Sequence, residues 1–124
     1  MKHYRSRATA VVIRKGGVLL VRDRGKRHFS LPGGGVHKGE PPLSAAAREL
    51  YEETGLNASR VVRVFNYRGS VNEHRVFLVE ADGDVHLKGR ELSEFIWWDR
   101  KTAVPIYPHV AAILDGVADI LGGT

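Results

Sequence analysis

The order of hydrophobic and polar positions in the first third of the chain predicts strands and turns. Two short β-branched and apolar runs, at residues 9–13 and 18–21, flank the sequence RKGG, which predicts a β-hairpin with Gly16 and Gly17 at positive φ angles. A basic loop then leads to FSLP, a short strand that Pro32 ends because proline lacks the amide hydrogen that a sheet requires.

The next segment has the periodicity of an amphipathic helix. Between residues 43 and 54, small or apolar side chains recur at positions 43, 46, 47, 50 and 54. Two prolines suit the first turn of this helix, and Gly55 suits its C-terminal end. The spacing predicts that the buried stripe lies opposite Glu49, Glu52 and Glu53.

The rest of the chain predicts more strands and a second helix. Three β-rich runs lie within residues 59–71, 74–81 and 94–99, and their incomplete alternation is typical of a sheet that is covered on both faces for part of its length. A second helical period follows behind two prolines. The order of hairpin, helix, strands and helix predicts an α/β sandwich that forms a single domain over residues 1–124.

Composition adds limits to this picture. A chain of 124 residues fits one domain with a core of its own. It contains no cysteine, which excludes disulfides, thiolate metal sites and cysteine nucleophiles and suits a cytoplasmic location. The longest apolar stretch near the N-terminus is broken by Arg14 and Lys15, so we expect neither a signal peptide nor a membrane span.

Charge is unevenly distributed along the chain. The net charge is +5, and residues 1–28 carry nine Lys or Arg residues against one Asp, whereas the remaining residues carry ten against thirteen acidic residues. This asymmetry indicates an anionic partner near the N-terminal third. Solvated strand ends and a basic hairpin explain it equally well.

Three glutamates crowd one side of the first predicted helix. Glu49 lies three residues before Glu52 and four before Glu53, so these side chains share a helix face with Arg48. Exposed pairs of like charge cost only about 0.2–0.5 kcal/mol each, so a solvated acidic face is tolerable. The clustering by itself leaves both a metal site and a plain acidic surface open.

The glycine-rich sequence in front of the helix favours the metal site. Gly33, Gly34 and Gly35 allow backbone groups to approach a ligand closely, just ahead of Glu40. Mg²⁺ binds carboxylate and carbonyl oxygens and commonly bridges protein carboxylates to substrate phosphates. A cation at this position would offset the repulsion among the glutamates.

Residues 34–56 resemble the Nudix box, the signature of MutT-like Nudix hydrolases. Every fixed position of that pattern is filled, in the order Gly34, five residues, Glu40, seven residues, REL, Tyr51, EE, Thr54, Gly55 and Leu56. The order of predicted elements also resembles the Nudix α/β/α sandwich, in which a mixed β-sheet lies between helices.

This resemblance implies a divalent-metal-dependent hydrolase. Its substrate would be a nucleoside diphosphate linked to another moiety, with Mg²⁺ or Mn²⁺ bound by box glutamates and water attacking a phosphorus atom. By position, Glu52 and Glu53 resemble the main metal ligands, and Glu49 resembles a further ligand or a carboxylate that orients water. Gly33 would supply a carbonyl ligand, and Arg48 would hold a glutamate in its working rotamer.

Substrate contacts are expected from the basic segment before the glycines. Arg22, Arg24 and Arg27 would lie near bound phosphates if this segment returns to the start of the helix, and the Gly34 backbone would approach the same ligand. Solvated charge explains the arginines equally well.

The general base is left open among several carboxylates. Glu91 and Glu94 are later candidates, although either could be a surface residue. Glu52 or Glu53, acting through a metal-bound water, is an equal alternative.

Aromatic and histidine residues give no separate site signal. Aromatic side chains in strands belong to the core more often than to a base-stacking site, and this applies to Phe29, Tyr67, Phe77, Trp97 and Trp98. The histidines show no metal-ligand spacing and no carboxylate partner in sequence, and are interpreted as surface or edge residues: His28, His37, His74 and His109.

Two functions remain open from the sequence. One is a hydrolase of a small-molecule nucleotide, with a nucleoside triphosphate, including an oxidised one, slightly preferred over a nucleotide sugar. The other is a catalytically idle Nudix-like module that senses a nucleotide or binds RNA. The presence of every box glutamate favours the enzyme. The sequence does not determine the oligomeric state, and a dimer is possible.

Overall fold

Two β-sheets and two helices form residues 4–122, the part of the chain that the computed structural model describes. In chain order the elements are β1 (Arg5–Val11), β2 (Ile13–Arg14), β3 (Gly17–Asp23), β4 (Gly33–Gly35), α1 (Pro42–Thr54), β5 (Asn57–Arg68), β6 (Asn72–Asp82), β7 (Leu92–Trp98) and α2 (Pro108–Gly122). Neither described helix is long and apolar enough to cross a membrane.

The strands carry a hydrophobic core on each face. A mixed four-stranded sheet has the order β4-β1-β6-β5, with β1 parallel to β6, and β2, β3 and β7 form an antiparallel three-stranded sheet. Val11 packs in the core that contains α2, whereas Ala8 and Ala10 pack in the core that contains α1. Alternate residues of one strand therefore face opposite helices. The predicted α/β sandwich, with mixed β-structure between helices, is confirmed.

The predicted N-terminal hairpin is wrong in its extent. Residues 9–11 belong to β1 in the four-stranded sheet, and only Ile13 and Arg14 pair in register with β3. The positive φ angles are 48° at Lys15 and 79° at Gly16, whereas Gly17 already lies in β3. The chain changes sheets at Val12, which is almost fully buried between β1 and β2.

The glycine segment is a short strand and not only a loop. β4 pairs antiparallel with β1, with Thr9 opposite Gly33. The predicted strand FSLP is reduced to single bridges, from Ser30 to Val21 and from Phe29 to Ile106. Pairing of β4 with β1 brings the glycines alongside α1, which follows them in the chain.

Helix α1 is confirmed, including its ends. Gly55 adopts a left-handed conformation (φ 77°), and its amide donates to the Tyr51 carbonyl. The buried stripe differs from the prediction, because Leu43 is 46% exposed and Ala45 is buried in its place. This rotation puts Glu49 and Glu53 at the edge of the buried stripe, not opposite to it, and of the three glutamates Glu52 is the exposed one. The acidic side chains can therefore reach β4.

Helix α2 is confirmed, and Gly116 has a packing role within it. A Cβ atom at this position would lie 2.8 Å from the ring of Phe65 on β5. The absence of a side chain at Gly116 lets the helix pack closely against the sheet. This packing offsets the low helix propensity of glycine.

Candidate active site

Arg48 on α1 organises the acidic side chains of the box. Its Nε and Nη2 atoms donate to the two carboxylate oxygens of Glu40 at 2.8 and 2.9 Å. Its Nη1 atom donates to Glu49 at 2.8 Å and to Glu52 at 3.0 Å, and Nη2 also donates to the Gly35 carbonyl at 3.1 Å. Hydrogen bonds from Arg48 and from the His37 amide lower the pKa of Glu40 to about 2. One guanidinium thus fixes three carboxylates.

Glu53 is the most deeply placed of the box carboxylates. Its Oε1 atom accepts a hydrogen bond of 3.0 Å from the Gly33 amide. Burial raises the pKa of Glu53 to about 8, with Glu49 and Asp23 adding to the rise and the Gly33 amide and Arg7 opposing it. A cation bound beside Glu53 would therefore stabilise the charged form of this carboxyl group.

The two glycines next to these carboxylates leave no room for a side chain. A Cβ atom on Gly33 would clash with the Ala8 carbonyl of β1, and one on Gly34 would clash with the Glu49 carboxyl group. β4 therefore lies directly against the end of Glu49. In the structure Gly33 contacts Glu53 through its amide, whereas the resemblance implied a role for its carbonyl.

Two clefts meet at Glu53. The carboxylate cleft has a volume of about 250 Å³ and is lined by Glu49, Glu52, Glu53, Lys88, Gly89, Arg90, Glu91 and Leu92. The histidine cleft has a volume of about 290 Å³ and is lined by Arg7, Val21, Asp23, Ser30, Glu53, Gly69, Ser70, Val71, Asn72, His74, Tyr107 and His109. A ligand with a charged end and a ring-bearing end could occupy both.

The carboxylates share a cleft but do not form a ready-made ligand set. Within residues 4–122, no three acidic or histidine side chains converge closely enough to hold a metal ion by themselves. Arg48 accounts for this, because its Nη1 atom lies between Glu49 and Glu52. The donor chemistry, carboxylate oxygens at one cleft beside a buried acid, nonetheless suits a hard divalent cation.

Of the two later carboxylates, the structure brings only Glu91 to the carboxylate cleft. Glu94 lies on β7 and forms an ion pair of 2.7 Å with Arg22 on β3. The Arg22 guanidinium also lies over the Phe29 ring at 5.7 Å, and its Nη1 atom donates to the Lys26 carbonyl. Glu94 therefore has a structural partner.

The arginines expected to contact phosphate line neither cleft. Arg24 donates through Nε to the Arg90 carbonyl at 2.9 Å and through its amide to the Glu91 carbonyl at 2.7 Å, so it holds the loop between β6 and β7. Arg27 is exposed. The cation that sequence reasoning missed is Arg7 on β1, which lines the histidine cleft and donates to the Leu31 carbonyl. Its position depends on strand pairing, which no local pattern reveals.

The interpretation of the histidines as surface or edge residues is wrong for His74, whereas His28 and His37 are exposed and His109 is half-buried. His74 is 2% exposed, and its ring stacks on that of His109 with 4.5 Å between centroids. His74 Nδ1 and Thr9 Oγ1 share a hydrogen bond of 2.8 Å. Burial lowers the pKa of His74 to about 3 and that of His109 to about 4, and Arg7 adds to both shifts. The alternation of side chains along β6 could have indicated the burial of His74, because residues 74 and 76 lie on the same face of the strand and Val76 belongs to the core.

The histidine pair belongs to a longer set of rings along the histidine cleft. His109 stacks on Tyr107 at 5.8 Å, and Tyr107 lies 5.3 Å from His28. The Tyr67 ring lies 6.2 Å from the His74 ring between centroids. The cleft thus combines uncharged aromatic surface with the single cation Arg7 and the acids Asp23 and Glu53.

Comparison with known families gives a match over most of the chain. The NUDIX domain model matches residues 3–116. An RNA pyrophosphohydrolase of Bartonella quintana (strain Toulouse) is 51% identical over 35 residues, which are 28% of this chain and 20% of that protein. An RNA pyrophosphohydrolase of Yersinia enterocolitica is 46% identical over 48 residues, 39% of this chain and 27% of that protein. The matches to curated relatives thus span about a quarter of their length.

Solved structures agree over nearly the whole chain. A nudix hydrolase family member from Chromobacterium violaceum has a TM-score of 0.83 at 28% identity, covering 95% of this chain and 79% of that one. A MutT NUDIX hydrolase from Burkholderia pseudomallei has a TM-score of 0.80 at 21% identity, covering 94% and 99%. The match to the Burkholderia pseudomallei protein shows that the two chains share a fold.

Proposed function

The chain belongs to the NUDIX domain family, and we propose that it is a pyrophosphohydrolase that uses a divalent cation, Mg²⁺ or Mn²⁺, to cleave the diphosphate linkage of a nucleotide. The observation that carries this proposal is the position of Glu53 at the junction of two clefts. One cleft presents the three box glutamates together with Glu91, and the other presents aromatic rings and a cation.

Glu49, Glu52 and Glu53 are the residues that would hold the cation. When bound, a divalent cation polarises phosphoryl oxygens and lowers the pKa of a coordinated water. Arg48 orients Glu49 and Glu52 from one side, and the Gly33 amide orients Glu53 from the other. These contacts restrict the side chains, and cation binding would have to move the Arg48 Nη1 atom from between Glu49 and Glu52.

The substrate would lie across both clefts. Its nucleoside would occupy the histidine cleft, where the Tyr107 and His109 rings offer stacking surface, and Arg7 would contact the phosphate nearest the nucleoside. The low pKa values of His74 and His109 keep this surface uncharged near neutral pH. The remaining phosphates would enter the carboxylate cleft.

Glu91 is our candidate for the general base. It lines the carboxylate cleft opposite α1, and its carbonyl is held by the Arg24 amide. A base must reach the proton it removes directly or through one water, and Glu94 is instead engaged with Arg22. Arg22 and Arg24 are thereby assigned to support of β7 and its preceding loop.

Among substrates, a nucleoside triphosphate is preferred. The 5′-triphosphate end of an RNA is a second candidate, favoured by the names of the curated relatives and by the basic residues on and near the β2–β3 hairpin. An RNA substrate would lose affinity steeply as salt rises, because each neutralised phosphate releases counterions. A catalytically idle binding module is the alternative, and it would show binding without turnover.

Chromatographic detection of the hydrolysis products over a substrate panel tests the proposal. Nucleoside triphosphates, 5′-triphosphorylated RNA, ADP-ribose, nucleotide sugars and dinucleoside polyphosphates are compared with Mg²⁺, with Mn²⁺ and with chelator. We expect turnover only with metal, and its loss in Glu53→Gln. Glu80→Gln on β6 is the matched control, because Glu80 is exposed and lines neither cleft. Absence of turnover with every substrate and both metals would contradict the proposed function.

A further inference from the structure

The loop between β6 and β7 lines the carboxylate cleft and is attached by hydrogen bonds to both α1 and β3. The Lys88 amide donates to the Glu53 carbonyl at 3.1 Å, which attaches the loop to the last turn of α1. Arg24 donates to the carbonyls of Arg90 and Glu91, which attaches the loop to the end of β3. Lys88 and Arg90 thus face the box carboxylates from a defined backbone position.

The Lys88 ammonium contacts an aromatic ring although it lies at a cleft lined by carboxylates. Four carboxylates line the same cleft, Glu91 among them, yet within residues 4–122 Lys88 forms no ion pair, and its Nζ atom lies 3.8 Å from the centroid of the Tyr51 ring. Arg48 already neutralises Glu49 and Glu52. Tyr51 is 46% exposed, and a cation–π contact at an exposed site is weak. The ammonium is therefore readily available to a stronger anionic partner.

We propose that Lys88 binds the phosphate group that leaves in the hydrolysis, and that Tyr51 positions the Lys88 ammonium for this contact. The inference rests on the proposed function. In that reaction the water oxygen bonds to phosphorus, the bridging P–O bond breaks, and the bridging oxygen departs with the bonding electrons while the protons of water pass to the base and solvent. Lys88 donates hydrogen bonds to non-bridging oxygens of the departing phosphate and keeps its proton.

The leaving group must be anionic for this contact to matter. A charge-assisted hydrogen bond from an ammonium to phosphate is stronger than a neutral one, and it forms before and during bond cleavage alike. Lys88 should therefore assist binding of substrates that release pyrophosphate or phosphate. It should assist nucleotide sugars less, because their departing group carries less charge.

Lys88→Met tests the contact, because methionine keeps part of the aliphatic stem and removes the charge. With Mg²⁺ present, calorimetric titration of inorganic pyrophosphate should show about tenfold weaker binding, and KM should rise about tenfold with kcat little changed. Lys101→Met is the matched control, because Lys101 is an exposed lysine that follows the far end of β7 and lines neither cleft. Unchanged pyrophosphate affinity in Lys88→Met, or an equal loss in Lys101→Met, would overturn the proposal.

Tyr51 is a positioning residue, and a double-mutant cycle separates this role from a structural one. Tyr51→Leu should raise KM, Tyr51→Phe should not, and Tyr51→Leu should add nothing in the Lys88→Met background. A Tyr51→Leu effect of the same size in both backgrounds would remove Tyr51 from the proposal. Wild-type protein without metal-dependent turnover would instead overturn the proposed function, and the pyrophosphate titration would still decide the assignment of Lys88.

Discussion

Replacing Gly34 by alanine adds one methyl group directly against Glu49. A Cβ atom on Gly34 would lie 2.5 and 2.7 Å from the two carboxylate oxygens of Glu49, whereas a Cβ atom on Gly35 would have nothing within 4 Å. The Glu49 carboxylate must therefore leave the position in which it accepts a 2.8 Å hydrogen bond from Arg48. Gly35→Ala is the matched control on the same strand.

The size of the effect follows from these distances. An ordinary contact begins at 3.4 Å, so the Glu49 carboxylate has to withdraw by about 1 Å, and a shift of about 1 Å in a catalytic group can lower the rate about 100-fold. The atoms that move are the end of a flexible side chain, so the free energy of unfolding should fall by only about 0.5–1.5 kcal/mol, the cost of an off-rotamer side chain. Activity should therefore fall far more than stability.

Steady-state kinetics with Mg²⁺ and urea unfolding of both variants measure the two effects separately. We expect kcat/KM of Gly34→Ala to fall about 100-fold, while Gly35→Ala stays near wild type in both assays. Wild-type activity in Gly34→Ala would refute the placement of Glu49 in the site. Equal losses in the two variants would show that β4 itself, and not Glu49, responds to the added methyl group.

Three further outcomes follow from the structure. Because the pKa of His74 is lowered to about 3 in the folded state, the unfolded chain binds more protons below pH 6.5, and His74 should make the protein about 2 kcal/mol less stable at pH 5 than at pH 8. Urea unfolding at both pH values should show a loss that is smaller by about this amount in His74→Gln, and the remaining loss includes the share of His109, whose pKa is lowered to about 4. Gly116→Ala should destabilise by about 1–3 kcal/mol despite the higher helix propensity of alanine, because the new Cβ meets the Phe65 ring; thermal unfolding checks this, and Phe65→Leu in the same chain should recover part of the loss. The pKa of Glu53 is raised to about 8, so its contribution to stability declines as pH rises from 4.5 towards 8. In chelator, Glu53→Gln should therefore raise Tm more at pH 8 than at pH 5. The opposite order would contradict the burial of this carboxyl group.

The sequence by itself determined the features that depend on neighbours along the chain. Helix α1, its Gly55 end and the spacing of Glu49, Glu52 and Glu53 all follow from a local 3.6-residue repeat and from glycine's access to positive φ. The box resemblance likewise lies within 23 consecutive positions, 34–56. Local geometry of this kind is the same in any fold that contains the helix.

Only the tertiary structure decided which distant residues meet. Strand pairing placed β1 beside β6, and this put Arg7 and the buried His74 at one cleft, paired Arg22 with Glu94, and turned Arg24 towards the loop before β7. It also divided the expected hairpin between two sheets and brought Lys88 opposite the box carboxylates. Strand register and loop placement depend on contacts between residues far apart in the chain, and no periodicity within a short segment contains that information.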